Sequence, residues 1–220
     1  MDQQLKKWIK WLAEIRPEIE RLVINRDVFW EVQKIIKTNV KLHKPSSFYS
    51  FLGRTYVAYA SMGIRRQLKI DRKSISLSRL LTEMARRSDL LSRAYYTGLY
   101  RNIYSNPVIL AQADRHFDAL AGNGNAHIST DSIQKDIELL ANAGKKVEEY
   151  ADRRIAHFDK RKPTSIPRFS ELDKAIDILD ALYVKYHLIC HAEKFATLMP
   201  VYQYDWKQIF YVPWLKEIRR

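Results

Sequence analysis

The chain has 220 residues, 46% of them hydrophobic, and its 38 lysines and arginines against 25 aspartates and glutamates give a formal net charge of +13. The apolar share supports a buried core and excludes a disordered chain, while the charge points to a polyanionic partner, nucleic acid first and an anionic membrane surface second. Cys190 is the only cysteine, which excludes an internal disulfide and a cysteine-built zinc site and fits a reducing cytoplasm.

Glycine and proline are scarce, at 6 and 7 residues, so helices are expected over strands. No secretory leader is expected at Met1 to Trp8, which lacks an apolar core and a small-residue cleavage site. No apolar run approaches the roughly 20 residues of a membrane span, so no membrane partner is expected. Leu5, Trp8, Ile9, Leu12 and Ile15 recur at helical spacing. Pro17 permits a kink or a new start, and Leu22, Val23, Phe29, Val32, Ile35 and Ile36 carry the pattern to about residue 38. A second helix is predicted over about 47–69, capped by Ser46 or Ser47. Asp71 to Ser74 reads as a turn and Leu77 to Arg87 as a short helix.

The segment 88–105 holds Tyr95, Tyr96, Tyr100 and Tyr104 and is predicted as helical or irregular. Asn106-Pro107 opens a helix to about Leu120, because proline suits a first turn. Gly122-Asn123-Gly124-Asn125 is a loop. Ser129 or Thr130 caps a long helix to about residue 157. A basic loop with Pro163 and Pro167 follows, to Phe169. Ser170 to Asp173 resembles a helix start with Asp173 at the third position, and a stripe from Leu172 to Cys190 continues to about Leu198. The aromatic tail around Trp206, Phe210 and Trp214 is expected to pack on the bundle or on a second subunit, since it is costly to leave in water. The expectation is one all-α domain over 1–220: an N-terminal helical region at 1–45, an antiparallel helical core at 46–198 and a tail at 199–220.

The densest chemistry lies at Tyr150 to Lys162, where His157 sits among Arg153, Arg154, Lys160, Arg161 and Lys162. Histidine exchanges protons near neutral pH, and arginine and lysine hold phosphate. RNA supplies its own nucleophile, the 2′-hydroxyl, so a positioned base and a cation suffice and no metal or cofactor is implied. The plain alternative is a histidine that favours a helix C-terminus beside solvated charge. His187 and His191, four apart, lack the glutamate of a zinc-protease motif, and a core or capping role is expected. The basic pairs Arg65–Arg66, Arg86–Arg87, Lys145–Lys146 and Arg219–Arg220 read as solvated faces, and Asp177 and Asp180 as exposed helix residues.

Tyr-x-Asp-Arg-x-Ile-Ala-His-x-Asp, from Tyr150 to Asp159, resembles the signature of HEPN proteins (higher eukaryotes and prokaryotes nucleotide-binding), most of all their abortive-infection branch, and Trp206 to Phe210 and Val212 to Trp214 look like that branch's tail. The resemblance implies a HEPN-type bundle with extra N-terminal helices and an aromatic tail. It implies a homodimer with a composite cleft, and metal-independent RNA cleavage leaving a 2′,3′-cyclic phosphate and a 5′-hydroxyl. A toxin or antiviral-defence role and an antitoxin or defence-system partner would follow. His157 would transfer the proton, Asp152 and Asp159 would support it, and Arg153, Arg154, Lys160, Arg161 and Lys162 would hold phosphate. The family's arginine aligns with Ala151. The alanine marks either a binding-only member or a substitution that silences a toxic nuclease. The alternative to an enzyme is a non-catalytic RNA-binding or protein-binding module.

Overall fold

A computed structural model describes residues 1–157 and 159–214, and among them there is no strand. The α-helices are α1 (Gln3–Thr38), α2 (Ser47–Leu68), α3 (Leu77–Arg86), α4 (Arg93–Arg101), α5 (Pro107–Ala121), α6 (Thr130–Tyr150) and α7 (Phe169–His191). Short 3₁₀ turns lie at Val40–Leu42, Ser88–Leu90 and Trp206–Tyr211, and a π-helical turn at Ala151–Ala156. The architecture is all-α, as composition implied.

Helix α1 runs straight through Pro17, where the periodicity allowed a new start. A proline removes one amide donor and frees the carbonyl four residues earlier. Here Pro17 and Ala13 are both exposed, so water can take that carbonyl. The inner face of α1, with Leu5, Trp8, Leu12, Ile15, Ile19 and Leu22, is almost wholly buried. Serine and asparagine cap the N-termini: Ser46, Ser76, Ser92, Asn106 and Ser129 each accept a backbone amide of the first turn. Gly122 closes α5 at φ 91°, a conformation glycine adopts without a Cβ clash.

One hydrophobic cluster draws on every α-helix, for example Leu12, Ile64, Leu80, Tyr96, Phe117, Leu140 and Ile176. Helix α6 packs against α2, α3 and α7, and α1 against α7 and α2, while α4 and α5 pair and reach the bundle through α4 and α7. Lys185 Nζ and the Tyr186 hydroxyl both donate to Asp136, at 2.6 and 2.8 Å, and tie α7 to α6. Burial lifts the Cys190 thiol to about 12, so it is an inert packing group.

Three expectations need correction. The start of α7 is closed by Glu171, whose carboxylate accepts the Arg168 amide at 2.8 Å. Asp173, two residues further along, instead accepts from Trp30 Nε1 at 3.1 Å. The same helix ends at His191, before Leu198, because Ala192 turns left-handed at φ 57°. Asp180 is nearly buried, not exposed: it accepts the Leu198 amide at 2.8 Å and the Thr197 hydroxyl, fastening the returning chain. Asp177 is exposed and ion-paired with Arg26. The tail packs back on α1, where Tyr202 donates to Asp27 at 3.2 Å and Lys207 pairs with Glu31. Val212 and Trp214 at its end are largely exposed.

Candidate functional site

Helix α6 does not reach residue 157 as an α-helix. It widens after Tyr150 into the π turn, and His157 follows in extended conformation (φ −140°, ψ 151°) with its side chain exposed. Such widened turns recur at functional sites because they re-aim side chains out of helical register. The chain then folds back. The Asp159 amide donates to the Arg153 carbonyl at 3.1 Å, and the Arg161 amide to Asp159 Oδ1 at 2.9 Å. Phe158, inside the signature, lies outside the described residues.

The result is a groove of about 570 Å³ lined by Lys69, Lys145, Glu148, Glu149, Asp152, Arg153, His157, Asp159 and Arg161. The structure therefore brings Asp152, Arg153, His157, Asp159 and Arg161 together. It places Ala151 elsewhere: that residue is 0% exposed and is not among the residues that line the groove. A guanidinium grafted there would have to leave the interior before it met a phosphate. Arg154 is also absent from the lining and donates to the Asp159 carbonyl at 3.1 Å. Lys160 and Lys162 lie exposed on the loop outside the lining.

Most charges in the groove are matched. Asp152 is held by Arg65 of α2 and by Lys69 (3.2 Å), the residue that follows α2, and Lys69 also meets Glu148 at 3.0 Å. Arg153 pairs with Glu149 at 2.8 Å and donates to the Lys162 carbonyl at 2.7 Å. Glu149 accepts the amide and hydroxyl of Thr164 at 3.1 and 2.6 Å. Arg161 pairs with Asp159 at 2.6 Å. Partial burial would push the Asp152 carboxyl up, but Arg65 and Lys69 outweigh it and hold it below its usual range. The hydrogen bonds from Arg161 hold Asp159 far lower. Both carboxylates stay ionised at neutral pH. The side chain in the groove suited to exchange a proton there is the imidazole of His157.

Sequence reasoning missed Lys69, Lys145, Glu148 and Glu149. Half of the signal was present: Lys145, Glu148, Glu149 and Asp152 recur at the three- and four-residue spacing that shares one helix face. The contribution of α2 required the packing of α2 on α6. His187 and His191 stack at 4.1 Å near the end of α7, and His191 Nδ1 lies 3.2 Å from the His187 carbonyl. Among the described residues no cluster of three or more His, Cys, Asp or Glu side chains suits a metal ion. No described helix is long and apolar enough to cross a membrane. No protein-family model, curated protein or solved structure matches this chain.

Proposed function

We propose that this chain is a metal-independent RNA endonuclease of toxin or antiviral-defence type, working at the groove below the π turn. The observation that carries the proposal is the exposed imidazole of His157 in one groove with the cations Lys69, Lys145, Arg153 and Arg161. The net charge of +13 supports a polyanionic substrate. His157 takes the proton of the ribose 2′-hydroxyl, the oxygen attacks the adjacent phosphorus, and the P–O5′ bond breaks, the 5′-oxygen taking a proton from water while the imidazolium later returns its own to solvent. The products are a 2′,3′-cyclic phosphate and a 5′-hydroxyl. Proton transfer of this kind is worth about 10²–10⁴-fold, and cations preorganised around the phosphorane add to it. Asp152 and Asp159 line the same groove and, as the resemblance implies, support the site.

The resemblance of Tyr150 to Asp159 to the HEPN signature supports the same chemistry. It extends the proposal to an antiparallel HEPN-type bundle, a cytoplasmic homodimer with a composite cleft, and an antitoxin or defence-system partner. A second reading has specific support. Three of the groove's cations are paired with carboxylates, and the position of the expected arginine is a buried alanine. These favour a non-catalytic RNA-binding or protein-binding module.

Analysis of RNA ends after incubation in chelator separates the two. The nuclease reading expects cyclic-phosphate and 5′-hydroxyl ends from the chain and none from His157→Ala. RNA left intact by both the chain and Ala151→Arg would leave the binding module standing alone.

A further inference from the structure

A cation already engaged by a carboxylate is a poor phosphate ligand, because part of its charge is neutralised and the pair must open first. Lys69, Arg153 and Arg161 are all so engaged. Lys145 differs. It stands exposed on α6 and lines the same groove as His157. Its charge reaches Glu149, whose carboxyl it helps to lower, yet among the described residues it forms no ion pair.

The geometry points to Lys145 as the residue that takes the RNA phosphate. This rests on the proposal that the groove handles RNA. It gives that groove a cation in spite of the buried alanine at 151, six residues further along the same run of chain. Three features place Lys145 for the task. Gly144 beside it lies against Leu68, so α2 and α6 approach closely where Lys69 and Lys145 meet the groove. Glu148 and Glu149, one turn on, are turned to Lys69 and Arg153. A lysine ammonium on a flexible stem serves as a point charge that can follow a phosphate. The neighbouring Lys146 supplies the comparison: it carries the same charge one residue away, but is paired with Glu171 at 2.6 Å and points to α7.

The test measures binding of single-stranded RNA by fluorescence anisotropy across a salt series. It uses the full chain carrying His157→Ala so that RNA survives, with Lys145→Gln, Lys145→Arg or Lys146→Gln added. Each glutamine removes one charge, so any general loss of attraction is shared. Lys145→Gln is expected to weaken binding roughly tenfold or more, as for a lost charge-assisted hydrogen bond. It should also flatten the dependence of log K on log salt by about 0.7. Lys145→Arg should keep the affinity and Lys146→Gln should nearly keep it. Equal effects of the two glutamines, or none, overturn the assignment. Cleavage by the histidine-bearing chain is scored in parallel. A chain that cuts RNA but shows equal glutamine effects retains the nuclease proposal and loses this one. A chain that binds RNA with the Lys145 pattern and cuts none retains this one and loses the nuclease. A chain that binds no RNA loses both.

Discussion

Leu68 of α2 rests directly on the backbone of Gly144 in α6. A Cβ at position 144 would lie well inside van der Waals contact distance of Leu68 Cδ1 and 3.0 Å from Cδ2, with Cγ at 3.1 Å. Leu68 is itself 8% exposed, so it has little room to yield. Glycine costs about 1 kcal/mol in a helix interior relative to alanine, and here it permits the approach of α2 to α6. Gly144→Val combines overpacking, about 1–3 kcal/mol, with a stiff β-branched side chain. The expected result is a fall in Tm of several degrees, since about 1 kcal/mol moves the midpoint by roughly 2–4 °C in a chain of this size. Calorimetry that finds an unchanged midpoint would refute the close-packing assignment.

The Arg65–Asp152 pair makes stability depend on acid. The Asp152 pKa is lowered from 3.8 in the folded chain, so the folded state binds fewer protons than the unfolded one around that value. Its contribution is therefore full above about 3.8 and lost as pH falls through the lowered folded value. Asp152→Asn should show lower stability than the parent at pH 7, by less than about 1 kcal/mol because the pair is part-exposed. The two proteins should converge once the pH lies below that lowered folded value. Urea unfolding at both pH values reads this directly, and a constant difference between them would count against the pair.

His187 acts at milder pH. It is 6% exposed, and its Nδ1 is buried with no hydrogen-bond partner among the described residues. Burial, with His191 stacked beside it, lowers its pKa below 6.5, against the opposing pull of Glu193 at 3.3 Å. Below about 6.5 the unfolded chain binds the proton more readily, so stability falls as pH drops from 6.5 toward the folded value. His187→Leu removes both the titration and the unpaired nitrogen. Its thermal midpoint should change less than that of the parent between pH 7 and pH 5. Parallel loss in both proteins would assign the acid sensitivity to other groups.

Ala151→Arg tests two levels at once. The resemblance to the HEPN signature implies that a guanidinium at this position raises cleavage. The complete burial of Ala151 implies that it also lowers stability, by about 1–3 kcal/mol or more, unless the stem threads to the surface. The expected protein is more active at low temperature and melts earlier. A destabilised variant with no gain in cleavage would argue that position 151 belongs to the core.

Much of the fold was legible. Serine and asparagine caps, the Asn106-Pro107 start and the Gly122–Asn125 loop act through neighbours in sequence, so their signals survive in the chain alone. Failures came where distant parts compete. Pro17 permits a kink or a new start, but the buried face on both sides of it holds α1 together. Asp180 reads as a surface residue until the chain returns and offers it the Leu198 amide. At the site, the sequence places Asp152, Arg153, His157, Asp159 and Arg161 close together, and all five line one groove. It could not reveal that Arg153 and Arg154 clasp loop carbonyls, or that Arg65 of α2 and Lys69 just past its end reach Asp152.

The docking of α1 has a consequence for biosynthesis. Its inner face is covered largely by α7, and its far half receives Tyr202 and Lys207. More than a hundred residues must emerge from the ribosome before either cover exists. A nascent chain thus carries the α1 face without its α7 cover for most of its translation, a window in which chaperones or aggregation compete for the part that α2 and α3 leave open.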